Sequence, residues 1–172
     1  MNGEKSKINT LYGKRMLLLS GLLGILVGLI LYTVVIFTMM PSLMIITKES
    51  QLGFDETVSE LEESIEKNGW IVSTVMDMNK SLTKHNIGFE PRVKLVKLCH
   101  PEYAKSVLST DRYVSVMMPC TFAVWQGDDQ KVYLSRMNMS LMSKLFGGNI
   151  AKVMGGKVAE DEEAILSGIL KN

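Results

Sequence analysis

Hydrophobic positions along the chain fall into two regimes. From Met16 to Thr47 no residue is charged, and Met16–Met40 is almost entirely Leu, Ile, Val, Met, Phe and Gly. Past that stretch the apolar residues recur in short alternations and helical repeats, broken by Gly, Pro and acidic turns. The first regime predicts a membrane-spanning helix. As a helix its 25 residues reach roughly 37 Å at about 1.5 Å per residue, against a hydrocarbon core of about 30 Å. A cleaved signal peptide would carry a shorter apolar region, about 7–15 residues, ending in a small-x-small site. Thr38-Met39-Met40-Pro41 offers no such site, so the helix reads as a permanent anchor.

Beyond the span the pattern predicts interleaved strands and helices. Pro41 reads as the end of the helix, because proline lacks an N–H and restricts the residue before it, and Leu43–Thr47 as a first strand. Asp55 reads as the N-cap of an amphipathic helix of about 13 residues, with Val58, Leu61 and Ile65 on one face and Gly69 as its stop. Trp70–Met76 alternates as a second strand, Asn79–Asn86 predicts one or two helical turns, and Arg92–Cys99 a third strand. Pro101, at a first helical position, opens a helix over Pro101–Ser109. Tyr113–Met118 and Thr121–Gln126 are both β-like and meet at Pro119-Cys120, as two strands or one kinked strand. Gly127-Asp128-Asp129 predicts a hairpin turn and Lys131–Met137 the returning strand. A short Ser140–Phe146 helix, glycine-rich joints at Gly147-Gly148 and Gly155-Gly156, and a last helix over Ala159–Leu170 follow. This order predicts an α+β domain, a mostly antiparallel sheet with helices on one face, preceded by one transmembrane helix. The chain thus divides into a basic tail (1–15), the span (16–40) and the domain (41–172).

Charge gives the arrangement a direction. Lys5, Lys7, Lys14 and Arg15 precede the span, and positive residues favour the cytoplasmic side. The N-terminus is therefore expected in the cytoplasm and the domain outside it, at the cell membrane. Once those four residues and Glu4 are set aside, residues 48–172 carry 15 Lys and Arg against 17 Asp and Glu. That near-balance gives no electrostatic reason to expect nucleic acid as a partner. The span carries a second message, because Ser20, Gly24 and Gly28 recur at intervals of four and the glycines form a GxxxG. Small residues on one helical face let two backbones approach closely, so the face predicts pairing with a copy of itself or with another membrane protein.

Chemistry in the domain centres on its two cysteines. Cys99 ends one predicted strand and Cys120 follows another, with a helix-sized segment between. If that segment makes the usual right-handed crossover, the strands run parallel and both cysteines reach one edge of the sheet. Three readings stay open: inert buried thiols, a disulfide, or a ligand or metal site. Candidate residues for a ligand or redox role are Cys99, His100, Pro101, Pro119 and Cys120. CxxC spacing, which favours catalytic thiol chemistry, is absent, and His85 with His100 forms no metal signature. Soft ligands for copper or haem iron could come from Met117, Met118 and Cys120, although methionine is more often core filler and no CxxCH is present. No nucleophile elbow, P-loop, dinucleotide fingerprint or HExxH occurs, so an enzyme is the less favoured reading. Asn79-Lys-Ser81 and Asn138-Met-Ser140 fit glycosylation acceptors.

From Phe54 onward, over about 115 residues, the chain resembles the domain of unknown function 302 family. The resemblance is carried by Phe54-Asp55-Glu56-Thr57-Val58, Leu61, Gly69-Trp70, Cys99-His100-Pro101, Ala104, Leu108, Met118-Pro119-Cys120 and Val124. It departs from the family pattern at His100 and Thr121, where asparagine is common, and at Met137-Asn138, where Asp-Pro is frequent. The resemblance implies a TATA-binding-protein-like α+β fold and a dimer, and it assigns no activity and no cofactor. Together these readings predict a membrane-anchored, extracytoplasmic binding or assembly domain, a homo-oligomer or an accessory subunit of a membrane complex. The alternatives are thiol redox or sulfur chemistry through Cys99 and Cys120, and haem or copper binding through Cys and Met.

Overall fold

The structure, a computed structural model, describes residues 2–171, with side-chain placement from residue 19 onward. It falls into two compact units, Met1–Pro41 and Ser42–Asn172. Helix α1 covers Asn2–Met44. Within it Leu19–Met44, 26 residues of mean hydropathy 2.6, is long and apolar enough to cross a membrane, and none of it is buried as a soluble core helix would be. Its threonines return their hydroxyls to the helix: Thr33 donates to the Leu29 carbonyl at 2.7 Å and Thr38 to the Val34 carbonyl at 3.0 Å. Neither threonine hydroxyl is thereby left to seek water in an apolar solvent. Pro41 does not end the helix as its chemistry predicts, since α1 continues to Met44. The missing N–H removes one bond from a last turn that has few to lose.

The second unit holds a five-stranded antiparallel sheet in the order β1-β5-β4-β3-β2. Its strands are β1 (Ile45–Glu49), β2 (Ile71–Asp77), β3 (Val93–Cys99), β4 (Cys120–Gln126) and β5 (Val132–Met137). The helices are α2 (Phe54–Lys67), α3 (Met78–Thr83), α4 (Pro101–Thr110), α5 (Met139–Phe146), α6 (Gly148–Lys152) and α7 (Ala159–Leu166). Alternation decides which face is covered. Val96, Leu98, Cys120, Phe122, Val124, Val132 and Leu134 are buried beneath α2, α4 and the C-terminal helices, while the residues between them face outward. The α+β class and the single covered face follow the sequence pattern.

Four local expectations fail for physical reasons. Tyr113–Met118 is not a strand: Arg112–Met117 forms a 3-10 helix. Val114 is buried and Met117 packs against the core, a spacing of three that a short window does not distinguish from alternation. Asp55 is not the cap of α2. That position belongs to Gly53, and the Asp55 carboxylate reaches Arg92 at 2.7 Å and Lys94 at 3.2 Å. The hydrogen bonds from these two cations, Arg92 foremost, hold Asp55 below the usual carboxylate range. The last helix stops at Leu166, because Gly168 takes φ +84° and turns the chain so that Leu170 bridges Ser50. Gly155-Gly156 is no joint but lies inside a π-helical turn, Val153–Val158, that leads into α7. A Cβ at Gly155 would sit 2.1 Å from the Ser143 hydroxyl oxygen, so glycine here permits a close approach to α5.

One ion pair is built into the covered face. Arg136 on β5 donates to the Glu162 carboxylate of α7 at 2.6 Å and pairs also with Glu163. Glu162 is almost fully buried, and burial pushes its carboxyl up to about 7 against the pull of Arg136. Between the ordinary value of 4.5 and about 7 the folded state holds a proton that the unfolded state has released. Stability from this group is therefore fully present below pH 4.5 and is lost as pH rises to about 7, at about 1.4 kcal/mol per unit of displacement. Urea midpoints of the full chain in detergent are expected to fall between pH 5 and pH 8, and Glu162→Gln is expected to flatten that fall.

Candidate functional site

Five strand ends meet at one end of the sheet. β1, β2 and β4 begin there at Ile45, Ile71 and Cys120, and β3 and β5 finish there at Cys99 and Met137. The expectation of parallel cysteine strands fails, because β3 pairs antiparallel with β4. α4 and the 3-10 helix leave that sheet end and return to it, so the two cysteines share an end without a crossover. Register separates their side chains nonetheless. Cys120 pairs with Leu98, and residues directly opposite share a face, so Cys99 is one step out of phase. Both are free thiols, Cys120 buried and Cys99 partly exposed.

The Cys99-His100-Pro101 segment and the Met118-Pro119-Cys120 segment, whose Met118–Pro119 bond is cis, border a small apolar pocket with about 20 Å³ of free space, room for about one water. α4 contributes Tyr103, Ala104 and Val107, and the π-helical turn contributes Val153, Met154 and Val158. Pro101 itself does not line the pocket; it opens α4 and so places that wall. Trp70, at the mouth of β2, donates its indole N–H to Asp161 at 3.1 Å. His100 stacks on Tyr103 with centroids 3.9 Å apart and 14° between planes, and Trp70 meets both rings edge-on at 5.5 and 5.9 Å. Aromatic contact thus orients the imidazole without using its Nδ1, which is buried and has no hydrogen-bond partner. An unmet buried polar atom costs about 1–3 kcal/mol, so this nitrogen calls for a partner, a water or a polar group of a ligand.

Electrostatics argue against thiolate chemistry at the same place. Burial first, then the Glu162 charge, pushes the Cys120 thiol up to about 12. No lysine or arginine acts to lower it, and a thiol held protonated is a poor nucleophile. Burial, followed by the charge of Asp161, likewise raises the Tyr103 phenol above its ordinary value. The soft-ligand candidates diverge: Met118 borders this pocket, whereas Met117 borders a wider groove of about 330 Å³ beyond Pro119 and Cys120. Among the described residues no three His, Cys, Asp or Glu side chains gather as a metal site.

Other sequence candidates have structural employment. Asn79 donates both amide hydrogens, to the Phe89 and Pro91 carbonyls at 2.7 and 2.9 Å, and accepts from the Val93 amide. Asn138 caps α5 through the Leu141 amide and donates to the Leu43 carbonyl. A glycan at Asn79 would displace one of those bonds. On α1, a Cβ at Gly24 or Gly28 would meet nothing within 4 Å.

A family model described as a domain of unknown function, DUF302, matches residues 46–171. The chain belongs to the DUF302 family. A crystal structure of an uncharacterized conserved DUF302 protein from Bacillus stearothermophilus has the same fold, with a TM-score of 0.64 at 20% identity. The match covers 72% of this chain and 95% of that one. Comparison with curated proteins returns no match. In this DUF302 domain, sequence reasoning found five pocket residues, Cys99, His100, Met118, Pro119 and Cys120, and missed Trp70, Tyr103 and the C-terminal wall. Gly69-Trp70 and the i, i+3 spacing of His100 and Tyr103 were the available signals.

Thiol labelling with a maleimide at pH 8 is expected to modify Cys99 and to leave Cys120 unmodified until the protein is unfolded. Labelling of Cys120 at the rate of a free thiol in the native protein would contradict its burial.

Proposed function

We propose that this DUF302 protein is a membrane-anchored binding domain, displayed outside the cytoplasm, whose ligand site is the aromatic pocket at the Cys99 and Cys120 end of the sheet. The observation that carries the reading is the buried, unpartnered His100 Nδ1 in an otherwise apolar pocket. That lining fits a small, mainly apolar molecule presenting one hydrogen-bonding group, admitted by movement of the flexible Met118 and Met154 side chains. Binding is favoured over thiol redox chemistry because the Cys120 thiol is held protonated and is out of phase with Cys99. The anchor rests on the length and apolarity of Leu19–Met44, and its direction on the basic residues ahead of it.

A thermal-shift screen of small aromatic fragments, each with one amide or hydroxyl, tests the pocket on the full chain in detergent. Fragments are expected to raise the melting temperature of the wild type and to lose that effect in Ala104→Trp, which fills the pocket. Shifts of equal size in the two proteins would remove the site. Assembly is the second component of the reading, carried by the open Gly24 and Gly28 face of α1 and by the uncovered face of the sheet. On a blue-native gel, Gly24→Leu with Gly28→Leu is expected to migrate as a smaller species than the wild type; unchanged migration would end the helix-packing component.

A further inference from the structure

Apolar side chains stand exposed at the sheet end where β1 begins, and nothing in the proposed pocket uses them. Tyr113 and Val116 lie three apart on the 3-10 helix, a spacing that stacks them on one face, and they are 64% and 87% exposed. The Phe146 ring lies 6.4 Å from that of Tyr113, and its neighbour Leu145 is 73% exposed. Val116 shares the wider groove with Ile45 and Met137, which are register partners and also exposed. These six residues form a continuous apolar surface on a domain whose charged residues lie elsewhere, apart from the exposed Arg112 and Lys144 beside it. A surface of this kind marks an interaction site.

We infer that this surface rests on the lipid bilayer, with Tyr113, Val116, Leu145 and Phe146 entering the interfacial layer. The inference relies on the reading of α1 as an anchor. Covalent reach favours lipid over other occupants: Ile45 follows the last residue of α1, and four residues from Pro41 span at most about 14 Å. The zone between hydrocarbon and water is itself about 5–8 Å deep on each side, so Ile45 and the residues packed beside it are held within reach of it. Tyrosine and phenylalanine suit that zone, where a ring is half wetted, and Arg112 and Lys144 can extend to phosphate groups while their stems stay on apolar surface. The opposite sheet end carries acidic Asp128 and Asp129 in the Gly127–Gln130 turn, and of exposed large apolar residues Ile87 and Phe89 in the segment that enters β3.

Single tryptophans introduced into the full chain test this. Val116→Trp, Tyr113→Trp and, as the distal control, Asp128→Trp are reconstituted into phosphatidylcholine vesicles with plain acyl chains or with chains brominated near the headgroup. Emission above that of the wild type is compared, and co-flotation with the vesicles is measured in parallel. Docking predicts that brominated lipid roughly halves the added emission at positions 116 and 113 and leaves that at 128 unchanged. Co-flotation without quenching at 116 and 113 overturns the docking and leaves the anchor standing, and intermolecular crosslinking of Val116→Cys would then identify a second copy as the occupant. Equal quenching at 128 also overturns it. Failure to co-float overturns the anchor and the docking together.

Discussion

Antiparallel pairing of β3 with β4 is the constraint on which the rest of the domain depends. The register that sets Leu98 opposite Cys120 and Val96 opposite Phe122 puts those four side chains on the covered face, where all four are buried. The same register sends Cys99 out of phase and brings the chain back to one sheet end after α4. A slip by one residue would exchange the faces of an entire strand. Leu98 and Phe122 would then meet water, and the walls that form the aromatic pocket would come apart.

Inside that frame the pocket and the buried charges share a neighbourhood. Asp161 and Glu162 are adjacent on α7, yet the first holds the Trp70 indole at the pocket and the second meets Arg136 beneath the helix. Burial above all, with Glu162 adding to it, keeps the Cys120 thiol protonated. One short helix therefore orients the pocket's largest ring, occupies the arginine of β5 and adds to the burial that suppresses the reactivity of the sulfur. The binding reading and the weakness of the redox reading have the same structural source.

Much of this was legible in the chain. Strong periodicity gave α2, the strands and the apolar span, because each buries one face or crosses one solvent, and burial imprints a period. Five pocket residues were legible because Pro101 and Pro119 mark turns beside cysteines. The hidden part is tertiary: Trp70 and the wall of Val153, Met154 and Val158 reach the pocket from elements distant in sequence from the cysteines, and no local pattern records that meeting. The 3-10 helix was misread because six residues carry too few repeats to separate a period of three from one of two. Asp55 was misread because a cap and an ion-pair partner are the same residue type until Arg92 and Lys94 are placed beside it.

The two flanks of the sheet limit how copies of the domain can add to one another. On one flank β2 is bent by an irregularity between Val72 and Thr74, which breaks the even row of amides that an incoming strand requires. On the other, β1 is only five residues long, the Glu49 carbonyl is occupied by the Lys171 amide, and Ser50 is bridged by Leu170. Neither border offers a long, flat template, so continuation of the ladder from one molecule into the next is blunted at both sides. Any pairing between copies is left to broader surfaces, and the domain carries its own guard against growth strand by strand.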